Sequence, residues 1–314
     1  MTLAILQGFV TNQGDAWSYT LDCLGRYFDM AMEQPPGTLP AAFPVDLLDV
    51  SPSGEAAELI GYYLESARLL GRRTAEMHVC LASEQSLPEF KPEAFSKLYQ
   101  RALYQSMRTQ VGKTLLLLRR QFNRLSEGLR PLAVTIMKHE KYLMNRFKEL
   151  LDIKIVTLRI RCHGDYHLGQ VLFTGSDFVI IDFEGEPARP ITERRIKRSA
   201  LRDVAGMLRS FHYAAHAVLL NRHENVTPPE AIAKLEHWAE FWYRWVSAEF
   251  LKSYLQEAGE SRFIPATRNE LRVLLETLLI EKAVYELSYE LNNRPDWVGI
   301  PLRGIRQLLG DNLN

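Results

Sequence analysis

Asp165, Gln170 and Asp182 are residues of this 314-residue chain whose types and spacing can do chemistry together. Cys162-His163-Gly164-Asp165-Tyr166-His167-Leu168-Gly169-Gln170 precedes two short β-branched runs, and Asp182-Phe183-Glu184 follows the second of them. An acid in a loop, an amide five residues later and a second acid beyond a hairpin form the set that phosphoryl transfer requires. In that chemistry Asp165 accepts the proton of the attacking hydroxyl, Gln170 offers its side-chain oxygen to Mg²⁺, and Asp182 holds the metal that bridges the nucleotide phosphates. Glu184 is an auxiliary ligand candidate. Phosphoryl transfer is mostly alignment and charge neutralisation, so acids and oxygen ligands suffice and no Ser or Cys nucleophile is needed.

Other constellations compete with this one. His163, Asp165 and His167 alternate along an extended segment and could converge on a transition metal, but the second acidic motif would then have no role. His163 reads better as a prop for the loop, and His167 as a contact to phosphate or acceptor. His212 and His216 stand at i, i+4, a zinc-compatible spacing that lacks both an intervening Glu and a third ligand, so a core or surface role is expected. Gly112-Lys113-Thr114 imitates the end of a P-loop, yet position 107 is Met and the triplet lies in a helical pattern. Gly164 and Gly169 have P-loop spacing, but Gln170-Val171 replaces the Lys and Ser/Thr. Arg194, Arg195, Lys197, Arg198 and Arg202 form a basic run that is either a solvated face or a nucleotide or acceptor contact. Trp238, Trp242 and Trp245 recur at helical spacing, as core aromatics do. Tyr285, Glu286, Tyr289 and Glu290 repeat an aromatic-acid pair one turn apart and lead to Asn293, Arg294 and Trp297, a set suited to a saccharide pocket.

The elements that must carry these residues are mostly helical. Trp17, Leu21, Leu24 and Phe28, and then Leu59, Tyr63 and Leu70, follow the 3.6-residue period. Further helical patterns cover about 93–127, 131–152, 196–221, 229–258 and 267–292. Runs at 156–161, 170–173 and 178–181 read as short strands, the last two joined by Gly175-Ser176-Asp177 as a hairpin. The expected fold is therefore mainly α with a small β-hairpin, an α+β arrangement. Apolar residues make up 46% of the chain, and 38 Lys and Arg balance 38 Asp and Glu, which excludes disordered and supercharged classes. Neither nucleic acid nor membrane is an expected partner. Cys23, Cys80 and Cys162 suggest no disulfide framework or zinc ribbon, and a reducing, cytoplasmic setting is the expectation.

His163-Gly-Asp-x-His-x-x-Gln170 with Ile181-Asp-Phe-Glu184 resembles the kinase-like phosphotransferases that modify aminoglycosides, choline and sugars, whose signatures are H-G-D-x-H-x-x-N and D-x-E. Gln170 replaces their Asn, which lengthens the ligand by one methylene and keeps its carbonyl donor. The strings Asp182-Phe-Glu-Gly-Glu-Pro187, Arg189-Pro190, Glu193-Arg-Arg195, Asp203-Val-Ala-Gly-Met-Leu-Arg-Ser210 and Glu286 to Trp297 resemble the maltokinases more narrowly, including those fused to trehalose synthase. That resemblance implies a protein-kinase-like C-lobe as in aminoglycoside phosphotransferases, ATP and Mg²⁺, transfer to the anomeric hydroxyl of maltose, and trehalose synthase as a fused or associated partner. It implies that Asp203 accepts hydrogen bonds from the catalytic-loop backbone, where a plain helix cap is the alternative, and that Arg189, Glu286, Tyr289 and Arg294 contact the acceptor. Residues 1–12 look like the hinge strand that ends the family's N-lobe and 13–314 like the helical C-lobe, with the chain beginning at an internal methionine. No two of the 18 glycines are separated by a single residue, so no G-x-G phosphate loop is present. Two further readings stand beside the maltokinase one: a non-catalytic module that binds sugar or packs on trehalose synthase, and a kinase for an aminoglycoside or choline acceptor.

Overall fold

Helices cover most of the computed structural model, which describes residues 8–84, 86–223 and 229–310. The chain enters through α1 (Ala16–Ala31), whose first turn is capped by Asp15 accepting from the Ser18 N–H at 2.8 Å. Short α2 (Gly54–Ile60) leads into α3 (Tyr62–Ser83). Strand β1 (Glu93–Ala94) precedes α4 (Lys97–Gln121), which Ser96 caps. Next come α5 (Arg130–Lys138), α6 (Glu140–Asp152), β2 (Leu158–Arg159), β3 (Val171–Phe173) and β4 (Phe178–Ile180). After the four-residue α7 (Ile191–Arg194), four helices complete the described chain: α8 (Leu201–His223), α9 (Pro229–Ala258), α10 (Arg268–Asn293) and α11 (Gly299–Leu309).

Helix α3 packs along α9, and α8 packs on both α9 and α10. The three tryptophans of α9 are buried, and Trp242 and Phe250 meet Phe211 of α8 edge to face. Burying such rings and the Leu, Phe and Val side chains around them supplies the main driving force for bringing these helices together. Among the described residues, no helix is long and apolar enough to cross a membrane.

Three boundaries depart from the sequence pattern, two of them because strand pairing takes the backbone. The helix expected over 131–152 is two helices that break at His139, whose N–H donates to the carbonyls of Thr135 and Ile136 and whose φ of −96° and ψ of 19° leave the α region. The segment before α4 pairs with β2 in an antiparallel register of Glu93 with Arg159, so the helix starts only at Lys97. Helix α8 starts at Leu201 because Arg198 exchanges both backbone bonds with Ile160, at 2.9 and 3.0 Å.

The hairpin pairs Val171 with Ile180, Leu172 with Val179 and Phe173 with Phe178. On its outer edge the Gln13 N–H donates to the Phe173 carbonyl and the Phe173 N–H to that of Gly14. Of the segment read as a hinge strand, residues 1–7 lie outside the described residues. Gly112-Lys113-Thr114 sits inside α4, as its helical pattern indicated.

Candidate active site

The loop holding Asp165 is fixed from beneath by one buried carboxylate. Asp203, in the first turn of α8, accepts from the backbone N–H groups of His163 at 2.7 Å and Gly164 at 3.0 Å. The same carboxylate meets His78 Nε2 of α3 at 3.0 Å, and His78 Nδ1 meets the Tyr254 hydroxyl of α9 at 3.0 Å. Burial alone would raise the Asp203 pKa. The bond to His78, the imidazole charges around it and the Gly164 N–H outweigh burial and hold it below the usual carboxylate value. Gly164 has φ of +88°, a conformation that only glycine adopts without strain. Gly206 of α8 meets the loop closely, since a Cβ there would lie 2.6 Å from the Tyr166 carbonyl oxygen. The Leu168 N–H donates to Ser210 Oγ one turn further along α8.

The hairpin returns the second acid to this loop. Gln170 Nε2 donates to Asp182 Oδ2 at 2.8 Å. His163 joins the two motifs, with Nε2 on the Ile181 carbonyl at 2.8 Å, Nδ1 accepting from the Asp165 N–H at 3.4 Å and its ring 5.0 Å from that of Phe183. His167 is pushed below the ordinary histidine value, first by burial, while Asp165 and Asp182 both act on it in the opposite direction. Asp182 is the one non-glycine residue with positive φ, +63°, among the described residues. Aspartate tolerates this region better than most side chains, and such conformations concentrate at functional positions.

Asp182 and Gln170 fit a hard divalent cation: one carboxylate and one amide lie within hydrogen-bond distance, and the amide presents its Oε1 on a turn about the terminal bond. Among the described residues no three His, Cys, Asp or Glu side chains form a ready-made metal cage. A cation shared with nucleotide phosphates needs none.

Asp165 and His167 open into a cavity of about 560 Å³ whose far wall is α10. Glu286 faces it, held by the fully buried Arg209 of α8, whose Nε donates to Glu286 Oε2 at 2.8 Å. One turn on, Glu290 accepts from Arg294 through Nε at 2.9 Å and Nη2 at 2.6 Å, and from the Tyr213 hydroxyl at 3.1 Å. Arg294 lies over the rings of Trp297 and Tyr289. Five acids, Asp15, Asp165, Glu186, Glu286 and Glu290, line the space against His167, Lys282 and Arg294, with Arg209 balancing Glu286 from behind.

Of the acceptor candidates, Glu286, Tyr289 and Arg294 share this cavity with Asp165. Arg189 does not. It lines a small neighbouring recess that Asp165 also lines, with Arg202 and Glu281, and pairs with Glu193 at 3.3 Å. Glu184 is exposed and outside the cavity lining. In the basic run several side chains serve as pins, where the sequence suggested a solvated face or a ligand contact. Arg194 donates to the carbonyls of Arg189 and Pro187, Lys197 is buried on Glu93 and the Pro88 carbonyl, and Arg202 grips Glu281 through two bonds. Sequence reasoning missed His78, Arg209, Tyr213 and Lys282. The first three sit on the buried faces of α3 and α8, where a polar residue at an apolar-phase position is the only local signal.

No family model matches the chain. It is 28% identical over 163 residues to a glucosamine kinase of Streptacidiphilus jiangxiensis and 29% over 153 residues to one of Mycolicibacterium smegmatis. Those matches cover 52% and 48% of this chain, and it spans about a third, 34%, of the length of each relative. A solved glucosamine kinase superposes with a TM-score of 0.67 at 21% identity, covering 94% of this chain and 58% of the other. Another, in complex with glucosamine, ADP and inorganic phosphate, gives 0.63 over 92% and 59%. The chain thus has the fold of a large part of those kinases.

Proposed function

We propose that this chain carries the catalytic loop, metal ligands and acceptor pocket of a sugar kinase that moves the γ-phosphate of ATP to a sugar hydroxyl. The observation that carries the reading is the joining of the two acidic motifs: Gln170 bonded to Asp182, and His163 bonded to both the Asp165 N–H and the Ile181 carbonyl, at the mouth of a cavity rich in acids and rings. Asp165 accepts the hydroxyl proton as the oxygen attacks. Mg²⁺, held by Asp182 and Gln170, neutralises phosphate charge when bound. Glu286, Glu290 and Arg294 orient hydroxyls, and Trp297 and Tyr289 offer flat apolar faces.

For the acceptor we favour a hexosamine. The excess of acids in the cavity suits a cationic amino group, and the relatives are named as glucosamine kinases. Maltose, with the association to trehalose synthase that it brings, is the second reading, and rests on the motif likeness at 182–210 and 286–297. Calorimetric titration of the chain with glucosamine, glucose, maltose, trehalose and kanamycin, followed by assay of ADP release from Mg²⁺-ATP with each, separates the two. Saturable binding of glucosamine at pH 7 that weakens for glucose supports the first. Binding of maltose alone selects the second, and binding of kanamycin alone overturns both.

A further inference from the structure

His167 lines the same cavity as Asp165, and its two ring nitrogens are held differently. Nδ1 accepts the backbone N–H of Gly169 at 3.1 Å, within the single turn Leu168–Gln170 that His167 caps. The ring docks against that glycine: a Cβ at position 169 would lie 3.0 Å from Cε1 and 3.1 Å from Nδ1. Nε2 has no hydrogen-bond partner among the described residues and is not closed off from solvent, so the cavity is where it finds one.

The bond at Nδ1 decides what the other nitrogen can do. A backbone N–H only donates, so Nδ1 carries no proton and the proton of the neutral imidazole sits on Nε2. His167 thus presents one oriented N–H to a space lined by five carboxylates, which offer a phosphoryl group no donor. Of the other donors there, Arg294 is taken by Glu290, and Lys282 stands on the far wall over the Tyr285 ring. The position of His167 in the chain says which partner it meets. It lies two residues after Asp165 and three before Gln170, whose N–H donates to the His167 carbonyl at 2.9 Å and whose side chain meets Asp182. A transferring phosphoryl group has to lie between the hydroxyl served by Asp165 and the groups that hold the nucleotide phosphates, and His167 is the donor placed between those two.

We propose that His167 is a further catalytic residue, a neutral donor whose Nε2–H binds an equatorial oxygen of the transferring phosphoryl group; this rests on the phosphotransferase reading of the site. As the acceptor oxygen bonds to phosphorus and the bond to the ADP oxygen breaks, the hydroxyl proton passes to Asp165 and the Nε2 proton stays on the ring. Negative charge spread over the equatorial oxygens in the transition state is what this donor stabilises.

Side-chain NMR of the ¹⁵N-labelled chain at neutral pH reads the tautomer directly. The Nε2–H form is expected in the free protein, and Mg²⁺ with inorganic phosphate should shift Nε2 saturably, against chloride at matched ionic strength. Two variants separate the nitrogens. His167→Asn keeps an oxygen for the Gly169 N–H and has nothing at the Nε2 place, so kcat for ADP release with the sugar selected by calorimetry should fall about a hundredfold with its KM unchanged. His167→Gln puts an amide N–H at the Nε2 place, loses the Nδ1 acceptor and should keep most of the parent's kcat. A residue that only braces the loop gives the reverse order. The proposal is overturned by a ring protonated on Nδ1, by an Nε2 unmoved by phosphate, or by that reverse order. A parent that releases no ADP with any of the sugars counts against the kinase reading instead, and the spectra then decide the role of His167.

Discussion

The floor and the far wall of the candidate active site are built on opposite plans. On the floor, Asp203 takes two backbone N–H groups and one imidazole, so the position of Asp165 is written into main-chain atoms that no rotamer change can move. On the wall, Glu286 and Glu290 are held by Arg209, Arg294 and Tyr213, side chain to side chain. A main-chain anchor constrains nearly any chemistry performed above it, whereas side-chain pairs can be exchanged with little cost to the fold. The half proposed to handle phosphate is therefore tied to the main chain, and the half proposed to take the acceptor to side chains alone.

Asp203→Ala should break this comparison most directly. It strands two backbone donors and His78 in the core, and the expected loss is about 3–5 kcal/mol of folding free energy in a urea melt. A loss near that of a surface substitution would show that the loop is held by other means. The pH profile sharpens the point. Because the folded carboxyl of Asp203 lies below its unfolded value, its contribution is fully present above the unfolded pKa and disappears as pH falls through the folded one. Asp203→Asn should flatten that acid limb.

Arg209→Met leaves Glu286 without its buried partner and should cost about 2–3 kcal/mol. The double change with Glu286→Leu should recover part of this, since an apolar pair carries no unmet charge. An equal or larger loss in the double variant would place the wall in the same class as the floor. Gly206→Ala comes next. Its Cβ would press on the Tyr166 carbonyl, and the gain in helix propensity offsets part of the strain, leaving about 1–2 kcal/mol of destabilisation in the same melt.

The meeting of Gln170 with Asp182 was legible in the sequence because the parts are close in the chain: a loop, a three-residue strand, a turn and a return strand bring them together by local geometry. What holds the loop was legible in part: the resemblance implied Asp203 on the loop backbone, where it is found, but not His78 behind it. His78 is 125 residues from Asp203, and a single polar residue on the inner face of α3 looks the same whether it pairs or merely fills space. The helical pattern over 131–152 hid its break because no Gly or Pro marks it, and only the dihedral angles of His139 reveal the stop. The run from Arg194 to Arg202 looked free because charge spacing does not disclose partners as remote as Glu93 and Glu281. Arg189 was placed by motif likeness, and it lines the small recess beside the main cavity, which Asp165 also lines.

The smallest stability effect belongs to Arg294→Ala, and it separates recognition from support. Arg294 is 46% exposed while its partner Glu290 is 1% exposed, so water screens one end of the pair and the expected loss of stability is only about 0.5–1 kcal/mol. Burial holds the Glu290 carboxyl above its ordinary value even though Arg294 and Tyr213 pull the other way; removing Arg294 takes away one of those opposing pulls, and the Tyr213 hydroxyl remains to share the load. Acceptor binding should respond more strongly. The same guanidinium orders Glu290 and lies over Trp297 and Tyr289, so sugar affinity in calorimetry should fall about tenfold. If the melt moves by several kcal/mol while sugar binding stays put, Arg294 supports the fold as Asp203 does, and the contrast between a fixed floor and an adjustable wall is lost.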